Sequence, residues 1–309
     1  MDKLAILIPC YNESITIGNV IESFKSQFIN AKIYVYDNNS TDNTVKISKE
    51  KGAIIGYEYR QGKGNVVRRM FREINAECYL MIDGDDAFDP KDAMQMTKLI
   101  LEKGYDMVVG DRLSSNYLKT QNRRFHGFGN KLVRFLVNKI FHCNFNDIMS
   151  GYRALSYNFV KTFPVISEGF ELETEMSIHA AEKRMSIYTL PVSFKERPEG
   201  SVSTMNTFKD GFIILKTILS LFVVYKPLIF FSIISLVLMV IALYFFIPVL
   251  LYWKVNSQVP NFPRLIVCCF VFVASIISFF SGLILELIMK NNKQVFEYKL
   301  IEAQKRKFE

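Results

Sequence analysis

Cys78-Tyr79-Leu80-Met81-Ile82-Asp83-Gly84-Asp85-Asp86 is the stretch on which the fold turns. A short, unbroken apolar run stopping at an acidic turn has the pattern of a strand buried on both faces, with its carboxyl end open to solvent. Two carboxylates one residue apart at such an end are not easily neutralised by burial. They can hold one Mg²⁺ or Mn²⁺ that bridges a diphosphate, with Gly84 letting the backbone approach closely. Such an ion offsets charge developing on a departing nucleotide diphosphate. An acidic turn or a helix cap reads the same in isolation, so the neighbouring segments decide.

Upstream, strand and helix signals alternate. Leu4 to Ile8, Ile33 to Tyr36 and Ile54 to Tyr59 read as strands, and Met107 to Val109 as a further strand downstream. Between them, Ile17, Ile21, Phe24 and Phe28, then Val66, Met70, Phe71 and Ile74, recur at helical spacing, and a helix starts near Lys91. This order predicts an α/β domain with a doubly wound, Rossmann-like, mostly parallel sheet. Ligands of such sheets lie outside the carboxyl ends of the strands. The polar clusters Asn12-Glu13-Ser14, Asp37-Asn38-Asn39-Ser40, Gly62-Lys63-Gly64 and Asp83-Gly84-Asp85 all fall there, which predicts one cleft.

The back of the chain differs. Phe208, Phe212, Leu215, Leu219 and Phe222 step at helical intervals and predict an amphipathic helix lying in a membrane interface; an ordinary packed helix is the alternative. Pro227–Leu251 and Leu265–Met289 are apolar runs of about 25 residues. At about 1.5 Å per residue each exceeds the ~30 Å hydrocarbon core, so both are expected to span as a hairpin. Tyr244, Tyr252 and Trp253 suit the interface. Lys290, Lys293, Lys299, Lys305, Arg306 and Lys307 make the tail basic, which puts both termini in the cytoplasm of a multi-pass plasma-membrane protein. The expected divisions are 1–205 catalytic, 206–226 interface helix, 227–289 spans and 290–309 tail. The first apolar stretch, ending at Pro9, is too brief for a signal-peptide core, so the front domain is expected to stay cytoplasmic.

Lys and Arg number 38 against 30 Asp and Glu, a net charge of +8. No basic stripe with interleaved aromatics points to nucleic acid, so lipid is the better partner for that charge. The scattered Cys10, Cys78, Cys143, Cys268 and Cys269 lack metal-ligand spacing and read as free thiols in a reducing compartment. His126, His142 and His179 likewise show no metal spacing.

Pro9-Cys10-Tyr11-Asn12-Glu13, Asp37-x-x-Ser40-x-Asp42 and Asp83-Gly84-Asp85, in this order, resemble glycosyltransferase family 2, whose members are inverting enzymes with a GT-A fold. The resemblance runs from about Leu4 to Thr207. It implies that Pro9, Tyr11, Asn12 and Glu13 line a nucleotide pocket, that Asp37 contacts the base, and that Asp83 and Asp85 bind donor and metal. It places Arg112 near the donor phosphates. Pro9 as a strand end, Tyr11 as core, and Asn12, Ser40 or Asp42 as helix caps are the structural alternatives. Gly62-Lys63-Gly64 precedes a helix, so its amides and the lysine can approach a pyrophosphate.

Further on come Asp147-Ile148-Met149-Ser150-Gly151-Tyr152-Arg153, Gly169-Phe170-Glu171-x-Glu173 and Arg197-Pro198-Glu199-Gly200-Ser201. With two spans behind them, they look like the dolichyl-phosphate-mannose-synthase and polyprenyl-phosphate glycosyltransferase group. The implied reaction moves a sugar from a nucleotide-sugar, UDP-hexose or UDP-N-acetylhexosamine, to undecaprenyl phosphate. The product is a lipid-linked donor for cell-envelope glycans, which implies a downstream flippase and glycan transferase and leaves homo-oligomers open. An acceptor phosphate is largely dianionic at neutral pH, its second pKa being ~6, so an electropositive socket matters more than a strong base. Arg123, Arg124 and Arg197 are the candidates for that socket, and Asp147 is a catalytic candidate that organises the acceptor side or serves as base. Ala87 stands where relatives often carry Gln, with Asp86 or Asp89 as substitutes, and Thr204 stands where a lysine is usual. A transferase acting on another acceptor and a catalytically silent membrane partner are the competing readings. The Gln-x-x-Arg-Trp pattern of processive members is absent.

Overall fold

The computed structural model describes residues 1–114, 134–135, 137–139, 143–169, 171–195, 222–223, 225–259 and 261–308. The chain packs as two units, Met1–Leu215 with Tyr298–Glu309, and Lys216–Glu297.

In the first unit seven strands form one sheet in the order β3-β2-β1-β4-β6-β5-β7. They are β1 (Asp2–Cys10), β2 (Lys32–Asp37), β3 (Ile54–Tyr57), β4 (Ala76–Met81), β5 (Met107–Asp111), β6 (Arg153–Ser156) and β7 (Ile187–Pro191). β1, β2, β3 and β4 pair in parallel, as the alternating signals predict. β6 runs antiparallel to both β4 and β5, and β7 returns parallel to β5. The sheet is therefore mixed. The central strands β1 and β4 are almost wholly buried, which is why they read as continuous apolar runs.

Among the described residues of this unit are helices α1 (Ile17–Gln27), α2 (Thr44–Glu50), α3 (Lys63–Glu73), α4 (Pro90–Leu101), α5 (Tyr157–Thr162) and α6 (Leu172–Glu182). α1 buries Ile17, Val20, Ile21 and Phe24, the stripe its spacing predicts. α3 does the same with Val66, Val67, Met70 and Phe71. α4 starts on a capping carboxylate: Asp89 Oδ1 accepts from the Lys91 amide at 2.9 Å, and Pro90 occupies the first turn, where no amide partner is lost. The core beneath β1, β4 and β6 joins Ile6, Ile8, Leu80, Ile82 and Ala154 to α1 and α4.

The second unit contains α7 (Pro227–Asn256) and most of α8 (Phe262–Phe308). Both are long and apolar enough to cross a membrane. Ser275 Oγ donates to the Ser235 carbonyl at 2.8 Å and Ser278 Oγ to the Phe231 carbonyl at 3.1 Å, so the two helices run antiparallel as a hairpin. Small side chains allow this close approach, and the hydroxyls find carbonyl partners on the facing helix. α8 carries on without a break through Lys290, Lys293 and Lys299. The amphipathic helix expected over Phe208–Phe222 lies outside the described residues except at Phe222, and so do His126 and His142.

Candidate active site

At the carboxyl edge, two loops from neighbouring strands are laced together. After β1, the Asn12 amide donates to Ser40 Oγ at 2.9 Å, the Glu13 amide to Thr44 Oγ1 at 2.9 Å and the Ser14 amide to Asp42 Oδ2 at 3.1 Å. In return, the Thr41 amide donates to Asn12 Oδ1 at 2.8 Å. Asn12 and Ser40 are thus not helix caps; α1 begins after Thr16 and α2 after Asn43, neither with a side-chain cap. Their work is to hold one loop against the other. Asp42 also receives the Thr44 amide at 3.0 Å, close to the start of α2. Tyr11 is exposed, not core, while Pro9 is the penultimate residue of β1.

Asp37 ends β2. Its Oδ2 accepts from the Ser40 amide at 3.1 Å, whereas its Oδ1 is buried and has no hydrogen-bond partner. A buried acceptor left unmatched costs roughly 1–3 kcal/mol, which marks this oxygen as an unusual one in the fold. Next to it, buried Asn38 makes three bonds: Nδ2 to the carbonyls of Glu58 and Arg60, each at 2.8 Å, and Oδ1 from the Gly62 amide at 2.7 Å. Asn38 therefore shapes the approach to α3. Its identity within an Asp-Asn-Asn turn gave no sign of this, because its partners lie 20 to 24 residues away.

The turn before α3 corrects one expectation. The Gly62 amide is engaged by Asn38 and the Gly64 amide donates to the Glu168 carbonyl at 2.9 Å, so neither is free for a pyrophosphate. A Cβ on Gly64 would collide with the Ser167 carbonyl, which explains the residue's lack of a side chain. What the turn presents is Lys63. Its Nζ bonds Asp83 Oδ1 at 2.5 Å and Glu173 Oε1 at 2.7 Å. Burial works to lower the Lys63 pKa, but the charges and hydrogen bonds of Asp83 and Glu173 outweigh it and hold the amine above its ordinary value. Gly151 backs this trio: a Cβ there would sit 2.5 Å from Asp83 Oδ2 and 3.1 Å from Lys63 Nζ.

Asp83 is partly exposed, Gly84 lies against Cys10 and Glu13, and Asp85 is buried with Oδ1 accepting from the Ala87 amide at 3.3 Å. Thr16 Oγ1 donates to the Gly84 carbonyl at 2.6 Å, tying the acidic turn to the start of α1. Ala87 is fully buried in the core, so its side chain faces away from the cleft. Asp89 caps α4 and does not substitute for the glutamine of relatives; Asp86 stays half-buried, with burial raising its pKa. Among the described residues no group of three His, Cys, Asp or Glu is arranged to hold a metal ion. The carboxylates of Asp83 and Asp85 are the hard oxygen ligands at this turn, a donor type that suits Mg²⁺ or Mn²⁺.

Arg112, after β5, donates Nε to Asp147 Oδ2 at 2.7 Å and Nη2 to Oδ1 at 3.2 Å. Asp147 is fully buried. Of its two expected roles this fits the organising one and not the base: a carboxylate gripped on both oxygens and closed to solvent orients an arginine, here Arg112. Arg153 is buried too, bonded to the carbonyls of Ser150 and Ile148 and to Ser177 Oγ, and burial pulls its pKa down to about 10. It braces the loop that carries Asp147 and Gly151. Arg123, Arg124, Arg197 and Thr204 lie outside the described residues.

A family model described as glycosyl transferase family 2 matches residues 5–163. The chain belongs to glycosyltransferase family 2. It is 34% identical over 214 residues to glycosyltransferase AglJ of Haloferax volcanii, a match covering 69% of this chain and 70% of that protein. It is 28% identical over 212 residues to the low-salt glycan biosynthesis hexosyltransferase Agl6 of the same organism, covering 67% and 51%. Glucosyl-3-phosphoglycerate synthase from Mycobacterium tuberculosis, solved with Mn²⁺, UDP and glucosyl-3-phosphoglycerate, superposes with a TM-score of 0.56 at 18% identity, over 72% of this chain and 79% of that one. That likeness establishes the GT-A fold expected from the motifs. The enzyme is thus a sugar-transferring member of family 2, with Asp37, Lys63, Asp83 and Asp85 at the carboxyl edge of its sheet.

Proposed function

We propose that this family 2 glycosyltransferase moves a sugar from a nucleotide-sugar, a UDP-hexose or UDP-N-acetylhexosamine, to polyprenyl phosphate, undecaprenyl phosphate in bacteria. The observation that carries the reading is one chain that combines the Asp83–Asp85 carboxylate edge with two helices long and apolar enough to cross a membrane. Similar GT-A structures bind UDP with Mn²⁺, which supports a nucleotide diphosphate and a divalent ion here. In this reading the unmatched Asp37 oxygen accepts a base N–H, and exposed Tyr11, which follows the residue paired with Asp37 across β1 and β2, offers a face to the nucleoside. Pro9, Asn12, Glu13 and Gly84 form the wall these contacts stand on.

Asp83 and Asp85 would hold Mg²⁺ or Mn²⁺. When bound, the ion neutralises charge on the leaving diphosphate. Lys63 adds a positive charge to the same region. The acceptor phosphate arrives as a nucleophilic dianion, so the protein's task is to position it against the anomeric carbon. Arg112, fixed by Asp147, serves the donor phosphates, while Arg123, Arg124 and Arg197 supply the electropositive side for the acceptor. The hairpin anchors the enzyme in the plasma membrane with the catalytic domain and both termini cytoplasmic, and the basic tail supports that orientation. The lipid-linked sugar then suits a flippase and an envelope glycan transferase.

The test is a donor panel of UDP-glucose, UDP-galactose, their N-acetyl forms and GDP-mannose against undecaprenyl phosphate, with product mass read directly. A lipid-phosphate sugar from one UDP donor is the expected product. No glycolipid from any donor, with the protein folded, overturns the proposal.

A further inference from the structure

Lys63 is an ammonium shared between two carboxylates. Asp83 Oδ1 lies at 2.5 Å and Glu173 Oε1 at 2.7 Å from Nζ. Glu173 is almost wholly buried on α6, and Asp83 is the more exposed of the two partners. The lysine's base is rigid: Asn38 holds Gly62 before it, and the Glu168 carbonyl holds Gly64 after it. Behind the trio lies Gly151, where even a Cβ would come within 2.5 Å of Asp83 Oδ2 and 3.1 Å of Lys63 Nζ.

We infer that Lys63 is the resident counter-ion of the acidic turn, so that a divalent cation gains Asp83 only when a diphosphate draws the ammonium away. The inference rests on the donor-site reading given above. A divalent ion and an ammonium held on one carboxylate repel each other, so each weakens the binding of the other. Without nucleotide, Lys63 already supplies the charge that Asp83 needs, and the metal must compete with it. A nucleoside diphosphate changes the balance, because its oxygens accept the ammonium and join the metal's ligand set. Glu173 keeps hold of Lys63 while its bond to Asp83 is released. Metal and nucleotide therefore enter as a pair, and nucleotide departure returns Lys63 to Asp83 and weakens the metal's hold. Glu173 is a positioning residue in this scheme.

The experiment is Mn²⁺ titration of the full-length protein in detergent, following the loss of the free Mn²⁺ electron paramagnetic resonance signal, with and without UDP. For wild type, UDP is expected to tighten Mn²⁺ binding at least about tenfold. Lys63→Gln keeps hydrogen-bonding capacity toward both carboxylates without the charge. It is expected to bind Mn²⁺ about tenfold or more tightly than wild type in the absence of UDP, and to lose most of the gain from UDP. The added affinity should vanish in Lys63→Gln combined with Asp83→Asn, which ties it to that carboxylate. Lys63→Met is the second variant should the glutamine disturb folding. Equal Mn²⁺ affinity of wild type and both lysine variants without UDP overturns the inference. Radiolabelled UDP binding is measured separately by equilibrium dialysis. No saturable UDP binding refutes the donor site, whereas the nucleotide-free comparison still decides the role of Lys63.

Discussion

Arg112 grips Asp147 through two hydrogen bonds, Nε to Oδ2 at 2.7 Å and Nη2 to Oδ1 at 3.2 Å, and no part of Asp147 reaches solvent. A paired, forked geometry of this kind fixes the guanidinium plane as well as its charge. Asp147→Ala would leave Arg112 beside an apolar gap and is expected to cost about 3 kcal/mol of stability. Thermal unfolding in detergent should show a clear drop, accompanied by a fall in transfer rate. Arg112→Lys should keep the charge, lose the fork and show a smaller loss of stability with a similar loss of rate. A stable, fully active Asp147→Ala protein contradicts the assignment.

Asp85→Asn preserves the side chain's shape and its acceptor toward the Ala87 amide. It is expected to lower transfer by at least about 100-fold while membrane insertion stays intact. With wild type, EDTA should stop turnover and Mg²⁺ or Mn²⁺ restore it. The assay uses radiolabelled donor and polyprenyl phosphate. Full activity of the variant, or turnover indifferent to chelator, refutes the carboxylate-pair assignment.

Asn38→Ala removes three part-buried hydrogen bonds that hold residues 58–62 against β2. Water can replace part of them at the half-exposed loop, so a loss of about 2 kcal/mol is expected. The kinetic effect should fall on the donor, with KM for the nucleotide-sugar rising several-fold and kcat changing less. Steady-state kinetics over donor concentration separate the two. An unchanged donor KM shows that Asn38 has no part in forming the donor side.

Acid should destabilise the catalytic domain partly through His179. Burial, and then the charge of Lys183, hold its pKa at about 4 against an ordinary 6.5, and its ring packs on Phe159 and Phe163. Between these values the unfolded chain binds the proton and the folded chain does not. The stability it contributes is whole above about pH 6.5 and drains away as pH falls toward 4, by roughly 3 kcal/mol at the lower end. Unfolding temperature measured from pH 7.5 to 4.5 should fall less steeply for His179→Leu than for wild type. Parallel slopes contradict the prediction.

The parallel half of the sheet could be read from the chain because its causes are local. Leu4 to Ile8 and Cys78 to Ile82 are apolar throughout, and a strand covered on both faces has to be. The antiparallel strand β6 escaped that reading. Its Arg-Ala-Leu-Ser sequence carries a buried arginine, and the carbonyls of Ser150 and Ile148 together with Ser177 Oγ make such burial tolerable. Ser177 stands 24 residues away and the two nearby carbonyls turn toward the arginine only in the folded loop, so no pattern along the chain announces them.

The same division runs through the cleft. Residue type and order alone were enough to place Asp37, Lys63, Asp83 and Asp85 at strand ends, and to mark two apolar stretches long enough for a bilayer, since chemistry and length are properties of the chain itself. Partnership was settled in three dimensions. Glu173 meets Lys63 across 110 residues, Arg112 meets Asp147 across 35, and Ala87 turns into the core. A charge's role depends on which opposite charge stands within a few ångströms of it, and that distance exists only once the chain has folded.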